Sequence, residues 1–137
     1  MSRVLLIFTI FTTILFALGA PIPETVELEK RITHFGRGTW FHVGKGNCGK
    51  YNVDSDLIVA IPKSLYDRNG GSNCDQYIRI TNTATGRTVY GLTRDSCPSC
   101  GSGDLDLSPS LFSKLAPLSQ GVIQKLSWNF MARGWHP

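Results

Sequence analysis

Beyond residue 31 the chain contains no glutamate. Carboxylate chemistry there falls to seven aspartates: Asp54, Asp56, Asp67, Asp75, Asp95, Asp104 and Asp106. No set of histidines, cysteines and acids has convincing metal-ligand spacing. No glycine-rich phosphate loop and no serine-triad motif occurs. No metal site and no cofactor is therefore expected. There is no Asn-x-Ser/Thr acceptor, no internal repeat and no low-complexity tract. After residue 18 no apolar run approaches the roughly 20 residues that a membrane span needs.

What is present begins with an address. Met1-Ser2-Arg3 is a short basic start, and Val4 to Leu18 is almost unbroken apolar sequence ending in small residues. This pattern predicts a signal peptide over residues 1–20, cleaved after Ala20. Residues 21–31 read PIPETVELEKR, an acidic spacer closing on Lys30-Arg31. They are expected to be a pro-segment cut at the dibasic pair, the alternative being a tail that stays on. The domain proper is then residues 32–137, a length that suits one domain. It carries 11 basic and 7 acidic residues. Such a secreted basic domain suits an acidic or polar extracellular partner such as a wall polymer. The charge is too scattered to argue for nucleic acid, and no membrane contact is expected once the signal is removed. A monomer is expected.

Cys48, Cys74, Cys97 and Cys100 are the only cysteines. An even number in a secreted domain reads as two disulfides. A zinc site and a redox-active Cys97-Pro98-Ser99-Cys100 are the alternatives, and structural staples are favoured because small secreted domains need them.

Local pattern predicts short strands broken by turns. Thr39–Val43 is β-prone, Leu57–Ile61 is an apolar run of strand length, and Pro62–Tyr66 reads as a helical turn. Residues 76–81 and 87–93 make a hairpin about the turn 83–86. Cys97–Asp104 reads as a loop. Ser108-Pro109 starts a helix with Leu111, Phe112 and Leu115 on one face, and residues 121–130 form a last strand. Five or six strands with one or two helices predict a mainly β fold, a small barrel.

Asp95 and Asp106 bound the cysteine loop, and a loop whose ends meet would put two carboxylates in one groove. Asp106 could instead cap the helix, and Asp95 could bind loop amides. Asp104 could share the groove with Asp106, since alternate strand residues face one side, or be a solvated loop charge. Trp40 and Trp128 are core candidates, Trp40 also offering a ring for sugar. Trp135 is expected to be exposed. His42 is a candidate base or a structural histidine.

Taken together, GTWFHVGKGNCG, SDLIVAIPKSLYD, Asn73-Cys74, TRDSCPSCGSGDLDLSPSLFSKL and GVIQKLSWNF resemble, in this order, the secreted double-psi β-barrel proteins. These include expansin-like loosenins, barwin-like and rare lipoprotein A-like domains, and a streptomycete papain inhibitor. The likeness covers nearly all of residues 36–131. It implies a six-stranded double-psi β-barrel with one or two short helices and an open polysaccharide groove. Asp106 corresponds to the acid before the helix, Asp95 to a second groove acid, and Thr39 to a threonine that bonds Asp106. The residues themselves, apart from the resemblance, offer Trp40, Asp104 and His42 as candidate substrate contacts. The resemblance also implies Cys48–Cys74, which leaves Cys97–Cys100. Related family-45 glycoside hydrolases place a base aspartate in the first strand, whereas this strand has no carboxylate, so ordinary hydrolysis is not expected. Cys97 stands where bacterial expansins carry an aromatic. Only seven residues follow Phe130, and the C-terminal binding domain of larger expansins is expected to be missing. The function so implied is non-hydrolytic loosening of wall glucan or chitin outside the cell. The alternative is a secreted inhibitor of papain-like cysteine proteases, or another protein-binding effector on the same fold.

Overall fold

The computed structural model describes residues 32–137. The predicted signal peptide, the pro-segment and its Lys30-Arg31 site lie outside the described residues. Six strands, two short helices and one 3₁₀ turn make up the domain. They run β1 (His34–Trp40), β2 (Ile58–Pro62), α1 (Lys63–Arg68), β3 (Tyr77–Asn82), β4 (Arg87–Cys97), β5 (Leu105–Leu107), α2 (Pro109–Ser113), the turn Leu118–Gln120, and β6 (Ile123–Phe130). The strands close into a barrel in the order β1-β5-β2-β4-β3-β6. Two pairs, β1 with β5 and β2 with β4, are parallel, and the other four are antiparallel. Closure leaves no free sheet edge.

The barrel is filled from alternate strand positions. Val59, Ile61, Ile78, Ile80, Leu105, Leu107, Ile123, Leu126, Trp128 and Phe130 form one core cluster with Leu111, Phe112 and Leu115 of the α2 region. The predicted helical face is thus the buried one. The helix starts as expected: the Ser108 hydroxyl accepts the Leu111 N–H at 3.4 Å, with Pro109 in the first turn. Such a cap contributes about 1 kcal/mol. Asp106 plays no capping part there.

The first strand departs from expectation. It occupies His34–Trp40, not Thr39–Val43. Its Gly36 is required by a close approach. A Cβ there would lie 2.2 Å from the Gly103 carbonyl oxygen, where the cysteine loop crosses β1. Leu105–Leu107 is a strand where local pattern showed no separate one. β4 runs on to Cys97, so Asp95 lies within a strand rather than at the start of a loop. Trp135 is half-buried, not exposed, and its ring tilts against Tyr90 at 4.8 Å.

Candidate functional site

Four residues stand side by side across four neighbouring strands. Thr39 on β1 pairs with Asp106 on β5, Asp106 with Ala60 on β2, and Ala60 with Asp95 on β4. Register partners share one side of a sheet. The neighbours Val59, Ile61, Leu105 and Leu107 all enter the core, so alternation turns Ala60 and Asp106 outward. The β2–β4 register shifts here: Val59 faces Thr93, and Ala60 faces Asp95. Arg94 is the extra residue of this bulge, and without it Arg94, not Asp95, would stand opposite Ala60. A strand spacing of roughly 4.8 Å, taken twice, separates the two acids by about 10 Å between their backbones.

Each acid has one oxygen engaged. The Thr39 hydroxyl donates to Asp106 Oδ1 at 3.1 Å. Asp95 Oδ1 accepts the Asn47 and Ser96 amides, both at 2.8 Å. Asn47 is held in turn, for its side chain donates to Ser96 Oγ at 3.1 Å and its carbonyl accepts the Tyr66 hydroxyl at 3.1 Å. Glycine at 46 allows this approach, because a Cβ there would sit 2.2 Å from the Arg94 carbonyl oxygen. Burial pushes the Asp106 carboxyl above the ordinary aspartate range. Hydrogen bonds from Thr39 and the Leu107 amide oppose that shift, and the charge of Asp95 adds to it. The row therefore places one carboxyl whose pKa burial raises beside one whose Oδ1 is held by two amides.

Asp104 serves the wall of the groove. Its carboxylate accepts the Arg37 amide at 2.8 Å and the Gly101 amide at 3.1 Å, tying the cysteine loop to β1. Arg37, Thr39, Ser99, Cys100 and Asp104 line one surface depression, which shares Thr39 with the row. Trp40 and His42 have their contacts elsewhere. Trp40 packs on the core, and its indole N–H donates to the Leu118 carbonyl at 3.1 Å. His42 Nδ1 lies 2.7 Å from Asp54, and its ring meets Trp40 edge-on at 5.6 Å. That hydrogen bond, with a second from the Val43 amide, holds Asp54 below the usual carboxylate range. Ala60 and Asn47 are part of the site yet were not read from sequence. The Gly46-Asn47 turn beside Cys48 was the available signal for Asn47. Nothing local marked Ala60.

Two disulfides pair Cys48 with Cys74 and Cys97 with Cys100. Among the described residues there is no group of three or more His, Cys, Asp or Glu placed to hold a metal ion, and no helix long and apolar enough to cross a membrane.

No family model matches the chain. It is 33% identical over 125 residues to the papain inhibitor of Streptomyces mobaraensis, covering 88% of this chain and 85% of that protein. The chain belongs to the papain inhibitor and expansin-like family of double-psi β-barrels. Expansin-like protein 1 of Dictyostelium discoideum is 30% identical over 137 residues, covering 92% of this chain and 47% of that protein. The chain thus spans about half the length of this expansin-like relative. The solved Streptomyces papain inhibitor superposes with a TM-score of 0.66 at 33% identity, over 74% of this chain and 96% of that one. A mutant of the Clavibacter michiganensis expansin, solved in complex with cellohexaose, gives 0.66 at 26% identity, over 77% of this chain and 54% of that one. The six-strand closure is accordingly the family's barrel.

Proposed function

We propose that this protein is secreted and binds cell-wall polysaccharide, a glucan or chitin, in the groove over Asp106, loosening the polymer without ordinary hydrolysis. The carrying observation is the row itself: a half-buried Asp106 bonded to Thr39, with Asp95 beyond a small Ala60. Asp106, oriented by the Thr39 hydroxyl, hydrogen-bonds the sugar. Asp95 accepts from a sugar hydroxyl through its remaining oxygen. Two amides already saturate Asp95 Oδ1, which suits a fixed acceptor better than a base that must activate water. The Clavibacter expansin mutant holds cellohexaose, which supports the choice of ligand class. The two disulfides suit an oxidising compartment outside the cell.

The test is a pull-down of the protein on insoluble cellulose, chitin and peptidoglycan, with released reducing ends measured alongside. Binding to one polymer, lost in Asp106→Asn, with no reducing ends, is the expected outcome. Equal binding by wild type and Asp106→Asn would overturn the assignment.

A second reading, inhibition of papain-like cysteine proteases, is favoured by one specific observation. The papain inhibitor matches along 85% of its length, the expansin-like relative along 47%. On this reading exposed loops occlude the protease cleft and Asp106 is irrelevant. Titration of papain separates the two: inhibition that survives Asp106→Asn supports the second reading, and none at micromolar protein removes it.

A further inference from the structure

The two disulfides do different mechanical work. Cys48–Cys74 joins residues 26 apart and ties the 46–48 turn to the segment before β3. Cys97–Cys100 joins residues 3 apart, at the end of β4. The smaller ring removes less chain entropy than the larger one. The loop it sits in is held by other means. Asp104 accepts the Arg37 and Gly101 amides, the Trp128 indole donates to the Gly103 carbonyl at 2.8 Å, and the Cys100 amide donates to the Cys97 carbonyl at 3.3 Å. The barrel thus has little need of this bond for its shape.

Its two sulfurs are also unequal. Cys97 is 5% exposed. Cys100 is partly exposed and lines the depression that it shares with Arg37, Thr39, Ser99 and Asp104. The Arg37 side chain is 60% exposed there, while that of Asp104 is 19% exposed and turned to its amides. Arg37 Nη2 also lies 3.8 Å from Asp104 Oδ2, so this ion pair offsets the carboxylate's charge at the edge of the depression where a thiolate would enter. Ser99 Oγ lies 3.6 Å from Cys97 Sγ, placed to donate a hydrogen bond to a thiolate formed at that sulfur.

We propose that Cys97–Cys100 is an exchangeable disulfide that accepts external thiolates, small or carried by a protein, at Cys100. The incoming thiolate attacks Cys100 Sγ in line with the S–S bond. A new disulfide forms between the two, the Cys97–Cys100 bond breaks, and its electron pair leaves on Cys97 as a thiolate. Ser99 stabilises that thiolate. A second external thiolate attacks the mixed disulfide, releasing the oxidised external pair and leaving two reduced cysteines. If none arrives, Cys97 attacks Cys100 and restores the starting bond. Cys100 borders the groove, so exchange places an adduct against Thr39 and Arg37. Exchange at this bond does not depend on which partner the groove takes.

The full protein, oxidised and native, is incubated with reduced glutathione at neutral pH, quenched with acid at intervals, alkylated and peptide-mapped. The expected result is glutathione on Cys100 and a free thiol on Cys97, appearing at least about tenfold faster than any opening of Cys48–Cys74, with the circular dichroism unchanged. Opening of both disulfides together, an adduct first on Cys97, or no adduct short of unfolding would overturn the proposal. Cys97→Ser and Cys100→Ser, each treated with oxidised glutathione, check the site of attack. The first should hold a stable adduct on Cys100, and the second should leave Cys97 unmodified. Should either variant fail to fold, the wild-type time course decides alone.

Discussion

Asp106 and Asp95 face the same residue, Ala60, from opposite sides. One is its partner on β5 and the other its partner on β4. The residue between the carboxylates carries only a methyl group, and at 2% exposure it is already covered by its neighbours. Ala60→Leu forces three more carbons into that covered position and pushes the flanking side chains apart. The expected outcome is loss of polymer retention in the pull-down with the barrel still folded. Overpacking should cost about 1–3 kcal/mol, checked by urea denaturation. Retention at the wild-type level would show that nothing binds between the acids.

The pH dependence separates Asp106 from the other carboxylates by sign. Burial raises its folded-state pKa above the unfolded value of 3.8. As pH rises through 3.8 the unfolded chain releases this proton first, and stability falls until the folded pKa is passed. Above that window the ionised carboxylate weighs fully against the fold. Asp106→Asn keeps an acceptor for Thr39 and removes the charge. It should melt higher than wild type at pH 7, with the difference vanishing below the unfolded pKa. A lower melting temperature at pH 7 would mean that the ionised form is the one the fold favours.

Asp56 runs the other way. Its carboxylate accepts the Val53 amide at 2.9 Å and the Asn52 side chain at 3.0 Å, which lower its pKa. Its stabilisation is present above 3.8 and is lost as pH falls through the lowered folded value. Asp56→Ala should flatten the acid limb of a stability–pH curve below pH 4 relative to wild type. An unchanged limb would remove Asp56 as a contributor.

What was legible beforehand follows the range of the interactions. Asp106 was readable because Leu105, Leu107, Ser108 and Pro109 surround it with strictly local signals: alternation, then a cap. Asp95 is legible as a groove acid but not as a strand residue. Ser-Cys-Pro-Ser looks like loop, yet residues 96 and 97 pair with Ile61 and Pro62 of β2, a partner more than 30 positions away that no local propensity reports. Ala60 was invisible for the same reason. Inside Ile58–Pro62 it is one more apolar residue, and only the meeting of β5 and β4 on either side gives it a role. Thr39–Val43 drew the strand prediction on β-propensity. The real strand begins in glycine-containing sequence that is poor by that measure, because Gly36 and Gly38 admit Gly103 and Leu126 at close range.

Asp104 shows how a groove wall is kept. Removing its carboxylate leaves the Arg37 and Gly101 amides without their acceptor and frees the loop that carries Ser99 and Cys100. Asp104→Ala should lower stability by about 1–3 kcal/mol and increase protease nicking within residues 97–104. Asp104→Asn, which keeps one carbonyl acceptor, should recover part of both. Thermal denaturation and limited proteolysis on the three proteins make the comparison. If Asp104→Ala matches wild type in both, the two amides are satisfied by water and the loop is held elsewhere.

The disulfides give the sharpest stability contrast, because the loops they close differ so much in length. The chain-entropy relation assigns about 3.5 kcal/mol to the ring closed by Cys48–Cys74 and about 2 kcal/mol to the four-residue ring of Cys97–Cys100. The longer ring also anchors Asn47, the amide partner of Asp95. Replacing Cys48 and Cys74 by alanine should therefore lower both stability and groove binding. The same replacement at 97 and 100 should cost less in urea and leave Asp95 in place. Folding free energies from urea titrations, read with polymer retention, test this ordering. If the 97–100 pair proves the costlier loss, the short ring is shaping the native loop rather than restraining the unfolded chain, and the case for its free exchange with thiols weakens with it.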